Sequence, residues 1–156
     1  MQTEITKEYV EQLEQAIEAQ DTAFILSTME EMYPPDITTV LYELNAEQSK
    51  FVMDLLPAEV GAEILSDLDP DIRVDFLRVF TSEEIARFVS QMDSDDAVDV
   101  LNEQSVQRRE EIIALIGNEE KIEDIIDLLH YAGVLGPPNS SKPREVLVDM
   151  LQLEAI

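Results

Sequence analysis

The sequence contains no cysteine and no tryptophan, and its one histidine is His130. Without thiols there are no disulfides, no thiolate metal sites and no cysteine nucleophile, an absence that fits a reducing compartment. A single imidazole likewise excludes a histidine-based zinc site, and near the end of an apolar-patterned segment His130 reads as a helix cap or a packing residue. Glycine is scarce, four in 156 residues, and none belongs to a G-x-x-x-x-G-K-[ST] or G-x-G-x-x-G phosphate loop. Basic residues are scarce too. Ten Lys and Arg stand against 35 Asp and Glu, a formal charge of -25, so repulsion disfavours nucleic acid and anionic membrane as partners. Cations and basic protein surfaces are the natural counterparts. No apolar run approaches the roughly 18 residues of a membrane span, and the start MQTEITKEYV has neither the basic nor the apolar region of a secretion signal. The expectation is a cytosolic chain that does not itself insert into a bilayer.

What the sequence does have is apolar content, 45%, enough for one domain with a real core. Its apolar residues recur. Val40, Leu41 and Leu44 are followed at 24-residue steps by Ile64, Leu65 and Leu68, by Phe88, Val89 and Met92, and by Ile112, Ile113 and Ile116. Asn45, Asp69, Asp93 and Gly117 keep the same step as turn residues. Such repetition points to stacked supersecondary units, none of which buries its apolar face alone. Each copy carries two sets at helical spacing, the second exemplified by Phe51, Val52, Leu55 and Leu56 and by Ile125, Ile126, Leu128 and Leu129. The spacing therefore predicts four pairs of short helices between residues 34 and 129, dependent on one another for stability.

Punctuation agrees with this pattern. Pro34, Pro35, Pro57 and Pro70 fall at unit or half-unit starts, where proline costs no helical hydrogen bond. Thr81 with Glu84 has the form of a capping box, and Asp69 before Pro70 reads as an N-cap. The alternating IRVDF of residues 72–76 resembles a strand, but Ile72, Phe76 and Phe80 keep the helical step and a lone strand would have no partner, so helix is expected. Gly61 conflicts locally with its helix, at about 1 kcal/mol relative to alanine. Two helices precede the repeats, one marked by Tyr9, Val10, Leu13 and Ile17, the next capped by Asp21 and running through Phe24, Ile25 and Met29. The organisation expected is N-terminal helices over 1–33, helical repeats over 34–131, and a Gly-, Pro- and Ser-rich linker with a short amphipathic tail over 132–156. Met and aromatic residues fall mostly at core spacing and read as packing.

The acid run MDSDDAVDV does not fit a calcium loop, because Ala97, Val98 and Gln104 stand where a ligand, the glycine and the bidentate glutamate belong. It fits a helix start: Asp93 as N-cap, Asp95 and Asp96 in the first turn, Ala97, Val100 and Leu101 inward. Asp95 and Asp99 then share an outer face, as do Glu59, Glu63 and Asp67 one repeat earlier. Two readings stand side by side: solvated faces of an acidic protein, or a partial site for a hard divalent ion, which carboxylate oxygens suit. Nothing marks a pocket with a perturbed acid/base couple, so no enzymatic activity is expected.

The segment PPDITTVLYELNAEQSKFVMDLLPAEVGAEILSDLDPDIRVDFL, with MDSDDAVDVL and DIIDLLHY after it, resembles the N-terminal intracellular domain of MgtE-type magnesium transporters over roughly residues 5–131. The resemblance implies an all-α fold, a right-handed superhelix of short helices built from four helix-pair repeats, related in shape to domains of flagellar motor switch proteins. It implies a regulatory role on the cytosolic face of the membrane, ahead of CBS domains and a membrane pore in a homodimer. Magnesium bound at an acidic interface with the CBS domains holds such a transporter closed. By matching motif, Glu63 of GAEIL and Asp95 and Asp99 of DSDDAVDVL are implied as Mg2+ ligands of a weak or shared site. The HYAGVLGPPNSSKP segment departs from the family's exit motif, and no CBS or pore-like segment follows it in this sequence, so regulation and not conduction is expected of the chain. The competing reading is a helical-repeat interaction scaffold without metal sensing.

Overall fold

A computed structural model describes residues 5–131, and the linker and amphipathic tail expected over 132–156 lie outside the described residues. Among the described residues there are ten α-helices and no strand: α1 (Lys7–Ala19), α2 (Thr22–Met29), α3 (Pro34–Tyr42), α4 (Ala46–Leu55), α5 (Ala58–Asp67), α6 (Pro70–Leu77), α7 (Ser82–Val89), α8 (Ser94–Asn102), α9 (Val106–Leu115) and α10 (Glu119–Tyr131). IRVDF is helical, within α6. The first helices of the expected pairs begin at residues 34, 58, 82 and 106, and the second at 46, 70, 94 and 119.

The chain divides into two compact units, one ending at Phe80 and one beginning at Thr81. In the first, α1 packs on α2, both lie against α4, and α3 packs on α5. In the second, α7 packs on α9, and α8 on α9 and α10. Local chemistry sets the ends of these helices. Thr6 Oγ1 accepts from the Tyr9 N–H at 3.0 Å to start α1. Its other end closes with the Gln20 N–H on Ile17 O (3.1 Å) and the Asp21 N–H on Ala16 O (2.8 Å), the Schellman pattern, with Gln20 in the left-handed region at φ 57°. Asp21 at once caps α2 through the Phe24 N–H.

Two full capping boxes hold α4 and α7. Asn45 exchanges side-chain and backbone bonds with Gln48 (2.8 and 3.0 Å), and Thr81 does so with Glu84 (3.1 and 2.8 Å). Pro34, Pro35 and Pro70 occupy first-turn positions, whereas Pro57 sits one place earlier, as the N-cap of α5. Asp69 and Asp93 take the N-cap positions of α6 and α8 with extended backbone but make no side-chain cap bond. In the fourth pair the cap slips by one: Asn118, not Gly117, accepts from the Lys121 N–H at 3.1 Å.

The apolar register is the core. Val40, Ile64, Phe88 and Ile112 are all fully buried, as are Leu13 and Ile25 in the leading hairpin. Burying each such side chain contributes about 1.5–3 kcal/mol. Ile72 is the exception among the expected helical set, 38% exposed, while Phe76 and Phe80 stack at 5.3 Å between ring centroids. Gly61 is buried in α5, the helix that packs on α3. Tyr9 ties α1 to α2 through a 2.8 Å bond with Thr28 Oγ1. Burial pushes the Tyr9 phenol above its ordinary value, with the Thr28 bond acting the other way.

A polar register runs inside the apolar one. Buried Ser49 in α4 donates to Leu41 O of α3 at 3.2 Å, and 24 residues on, buried Arg73 in α6 donates through Nη1 to Leu65 O of α5 at 3.0 Å. The next position in this register is Ala97, and the one after it is Lys121, whose Nζ donates to Met92 O in the turn between α7 and α8. Ser49 and Arg73 thus close the carbonyl ends of α3 and α5, where the Arg73 cation also meets the negative end of the macrodipole, whereas Lys121 holds a carbonyl of the turn before α8. Replacing Arg73 by Met keeps most of the stem and removes the donors. We expect a loss of about 1.5–3 kcal/mol by urea unfolding, because buried carbonyls lose a charged partner; a loss under 0.5 kcal/mol would show that the carbonyls find other donors.

Candidate functional site

The acid run forms the N-terminal half of α8. Ala97, Val100 and Leu101 are fully buried, which fixes the rotation of the helix and turns Asp95 and Asp99 outward, one turn apart and exposed. Asp96 is half-buried, and Asp95 and Asp96 lie in the first turn, where the positive end of the helix dipole favours them. Helix α5 repeats the arrangement. Gly61, Ala62, Ile64 and Leu65 are buried, leaving Glu59, Glu63 and Asp67 exposed along the opposite face.

Among the described residues none of Glu59, Glu63, Asp67, Asp95 or Asp99 has an ion-pair partner, in contrast to Asp54, which meets Lys50 at 2.9 Å. The structure places Glu63 in the first unit and Asp95 and Asp99 in the second, and brings only the last two together on one helix face. Among the described residues no group of three or more carboxylate or imidazole side chains is gathered to hold a metal ion. What α8 offers is a pair of hard, unpaired oxygen donors. That donor chemistry fits Mg2+ or Ca2+, and Mg2+ in particular keeps several waters and binds through one or two carboxylates. His130 is half-buried on α10, its Nδ1 enclosed without a hydrogen-bond partner among the described residues.

Sequence reasoning missed the internal cations. The signal was partial: Ser49 and Arg73 are one repeat step apart, but Ala97 interrupts the register before Lys121, and the trace is visible only when polar residues are aligned in the apolar register. Arg109 was missed for the same reason: it is 8% exposed on the inner face of α9, at the register position held by Ile37, Gly61 and Ile85 in the preceding copies.

Residues 32–133 match the family described as the MgtE intracellular N domain, and the chain belongs to that family. It is 33% identical over 64 residues to the magnesium transporter MgtE of Thermus thermophilus, an alignment spanning 41% of this chain and 14% of that protein. Its fold matches the crystal structure of the soluble part of a magnesium transporter with a TM-score of 0.68 and 19% identity, over 83% of this chain and 52% of that one. The chain therefore spans about half the length of the solved relative and a small part of the curated one. Among the described residues no helix is long and apolar enough to cross a membrane.

Because Asp99 is exposed, unpartnered and one turn from another aspartate, its charge is not structural. Asp99→Asn is expected to leave the urea midpoint in NaCl unchanged or raise stability by about 0.2–0.5 kcal/mol, through relief of the like-charge pair. A loss above 1 kcal/mol would give the carboxylate a structural role instead.

Proposed function

We propose that this chain is a cytosolic Mg2+-sensing regulatory domain of a magnesium transporter. The observation that carries the reading is the pair of unpartnered carboxylates, Asp95 and Asp99, on the outward face of α8, within the span that matches the family. Glu63 on the outward face of α5 is the further ligand that the family resemblance suggests. Two carboxylates leave a magnesium ion with open positions, which waters or the acidic surface of a partner fill. CBS domains and the membrane domain of the transporter are the proposed partners, in a homodimer. Two acidic surfaces repel when bare, and ions held between them reverse the sign, so ion concentration sets the balance between joined and separated states. The chain performs no chemistry in this scheme: its helices hold carboxylates facing outward at fixed spacing.

The test is thermal unfolding in MgCl2 and in NaCl at matched ionic strength. At a Mg2+ concentration ten times Kd, specific binding stabilises by about 1.4 kcal/mol, or about 3–6 °C in Tm for a chain of this size. We expect that excess in MgCl2, and its loss when Glu63→Gln, Asp95→Asn and Asp99→Asn are combined. Equal shifts in the two salts would reduce the effect to screening and contradict a site on this chain.

A further inference from the structure

A cleft of about 590 Å3 lies between α1 and α4, with no residue of α5 in its lining. Its lining divides by chemistry. Ile17 and Phe51 are half-buried and form an apolar floor, while Glu11, Glu14 and Glu18 of α1 and Glu47 of α4 are exposed around them. Among the described residues none of these four carboxylates has an ion-pair partner. Of the two described lysines on α1 and α4, Lys50 is engaged by Asp54 and stacks 6.0 Å from the Phe80 ring, and Lys7 is at the far end of α1. A second hollow, of about 510 Å3, is also lined by Glu11 and Glu14, together with Lys7.

The helix ends beside the cleft are capped. The α1 end beside it is closed by the Gln20 and Asp21 N–H bonds, and the α4 start by the reciprocal Asn45 and Gln48 bonds. Preformed walls reduce the ordering cost of binding. The α1 wall of the cleft precedes the span 32–133 that matches the family, and the α4 wall lies within it. We infer that the α1–α4 cleft is a docking site for a basic amphipathic segment of a partner protein, its apolar side chains on Ile17 and Phe51 and its Lys or Arg side chains among the four glutamates. Charge complementarity selects this occupant. A purely apolar segment would leave four carboxylates facing it, and a nucleic acid or a second acidic copy of the chain would be repelled. The inference is independent of Mg2+ sensing and concerns a different surface.

The probe is a fluorescein-labelled 14-residue helical peptide of lysine and leucine with its leucines along one face, titrated with the full chain at about 150 mM NaCl, where long-range attraction is screened beyond about 8 Å. Combining Glu14→Gln, Glu18→Gln and Glu47→Gln is expected to weaken binding about tenfold. The matched triple Glu59→Gln, Glu63→Gln and Asp67→Asn, equal in charge lost, is expected to change it less than about threefold, since those groups lie on another helix face. A peptide with serine in place of leucine is expected to bind at least about tenfold more weakly for want of the apolar contacts. All the substituted glutamates and aspartates are exposed, so both variants keep the fold, which far-UV circular dichroism checks. Equal weakening by the two triples, equal binding of the serine peptide, or no binding of the lysine–leucine peptide each overturns the proposal.

Discussion

Everything in this structure depends on short helices burying one face against one another. With lengths of 8 to 13 residues, none of α1 to α10 is long enough to persist alone in water. The apolar stripe of each is therefore committed inward, as the complete burial of Val40, Ile64, Phe88 and Ile112 shows. The opposite faces are released from packing, and the acidic residues occupy them. Glu63 and Asp99 face outward because Ile64 and Val100 face inward.

Electrostatics follows from that division. The chain has ten cationic side chains, and the structure places some of them where they serve the backbone or the interior: Arg73 on a carbonyl of α5, Lys121 on the Met92 carbonyl of the turn before α8, Arg109 within the inner face of α9. The cations so used are engaged by backbone or core, and among the described residues the outward carboxylates Glu59, Glu63 and Asp67 on α5 and Asp95 and Asp99 on α8 have no ion-pair partner. Two unit charges 4 Å apart in water interact by only about 1 kcal/mol, so the fold tolerates the surplus one pair at a time. The surplus nevertheless makes the surface responsive to cations, whether a divalent ion on α8 or a basic segment beside α1.

Much of the fold was legible in the sequence because one signal recurred. The triplet beginning at Val40 returns at Ile64, Phe88 and Ile112, and each return strengthens the reading of helix over strand at places such as IRVDF, where local pattern alone was ambiguous. Caps were legible where side-chain chemistry is reciprocal, as at Thr81 and Glu84, and less so where backbone geometry suffices, as at Asp69 and Asp93. The slip from Gly117 to Asn118 was hidden because a glycine and an asparagine stand side by side and either suits a helix boundary. Of the candidate site, the outward direction of Asp95, Asp99 and Glu63 could be read from helical spacing. The carbonyl partners of Ser49, Arg73 and Lys121 and the α1–α4 cleft could not, because each requires knowing which helices touch.

The most direct measurement for the account is residue-by-residue NMR of the chain through a MgCl2 titration, with an NaCl titration of equal ionic strength beside it. The account predicts saturable, magnesium-specific shifts of amides around Asp95 and Asp99 on α8, and around Glu63 on α5 if that carboxylate takes part. Shifts spread over all acidic helices and reproduced by NaCl would contradict it.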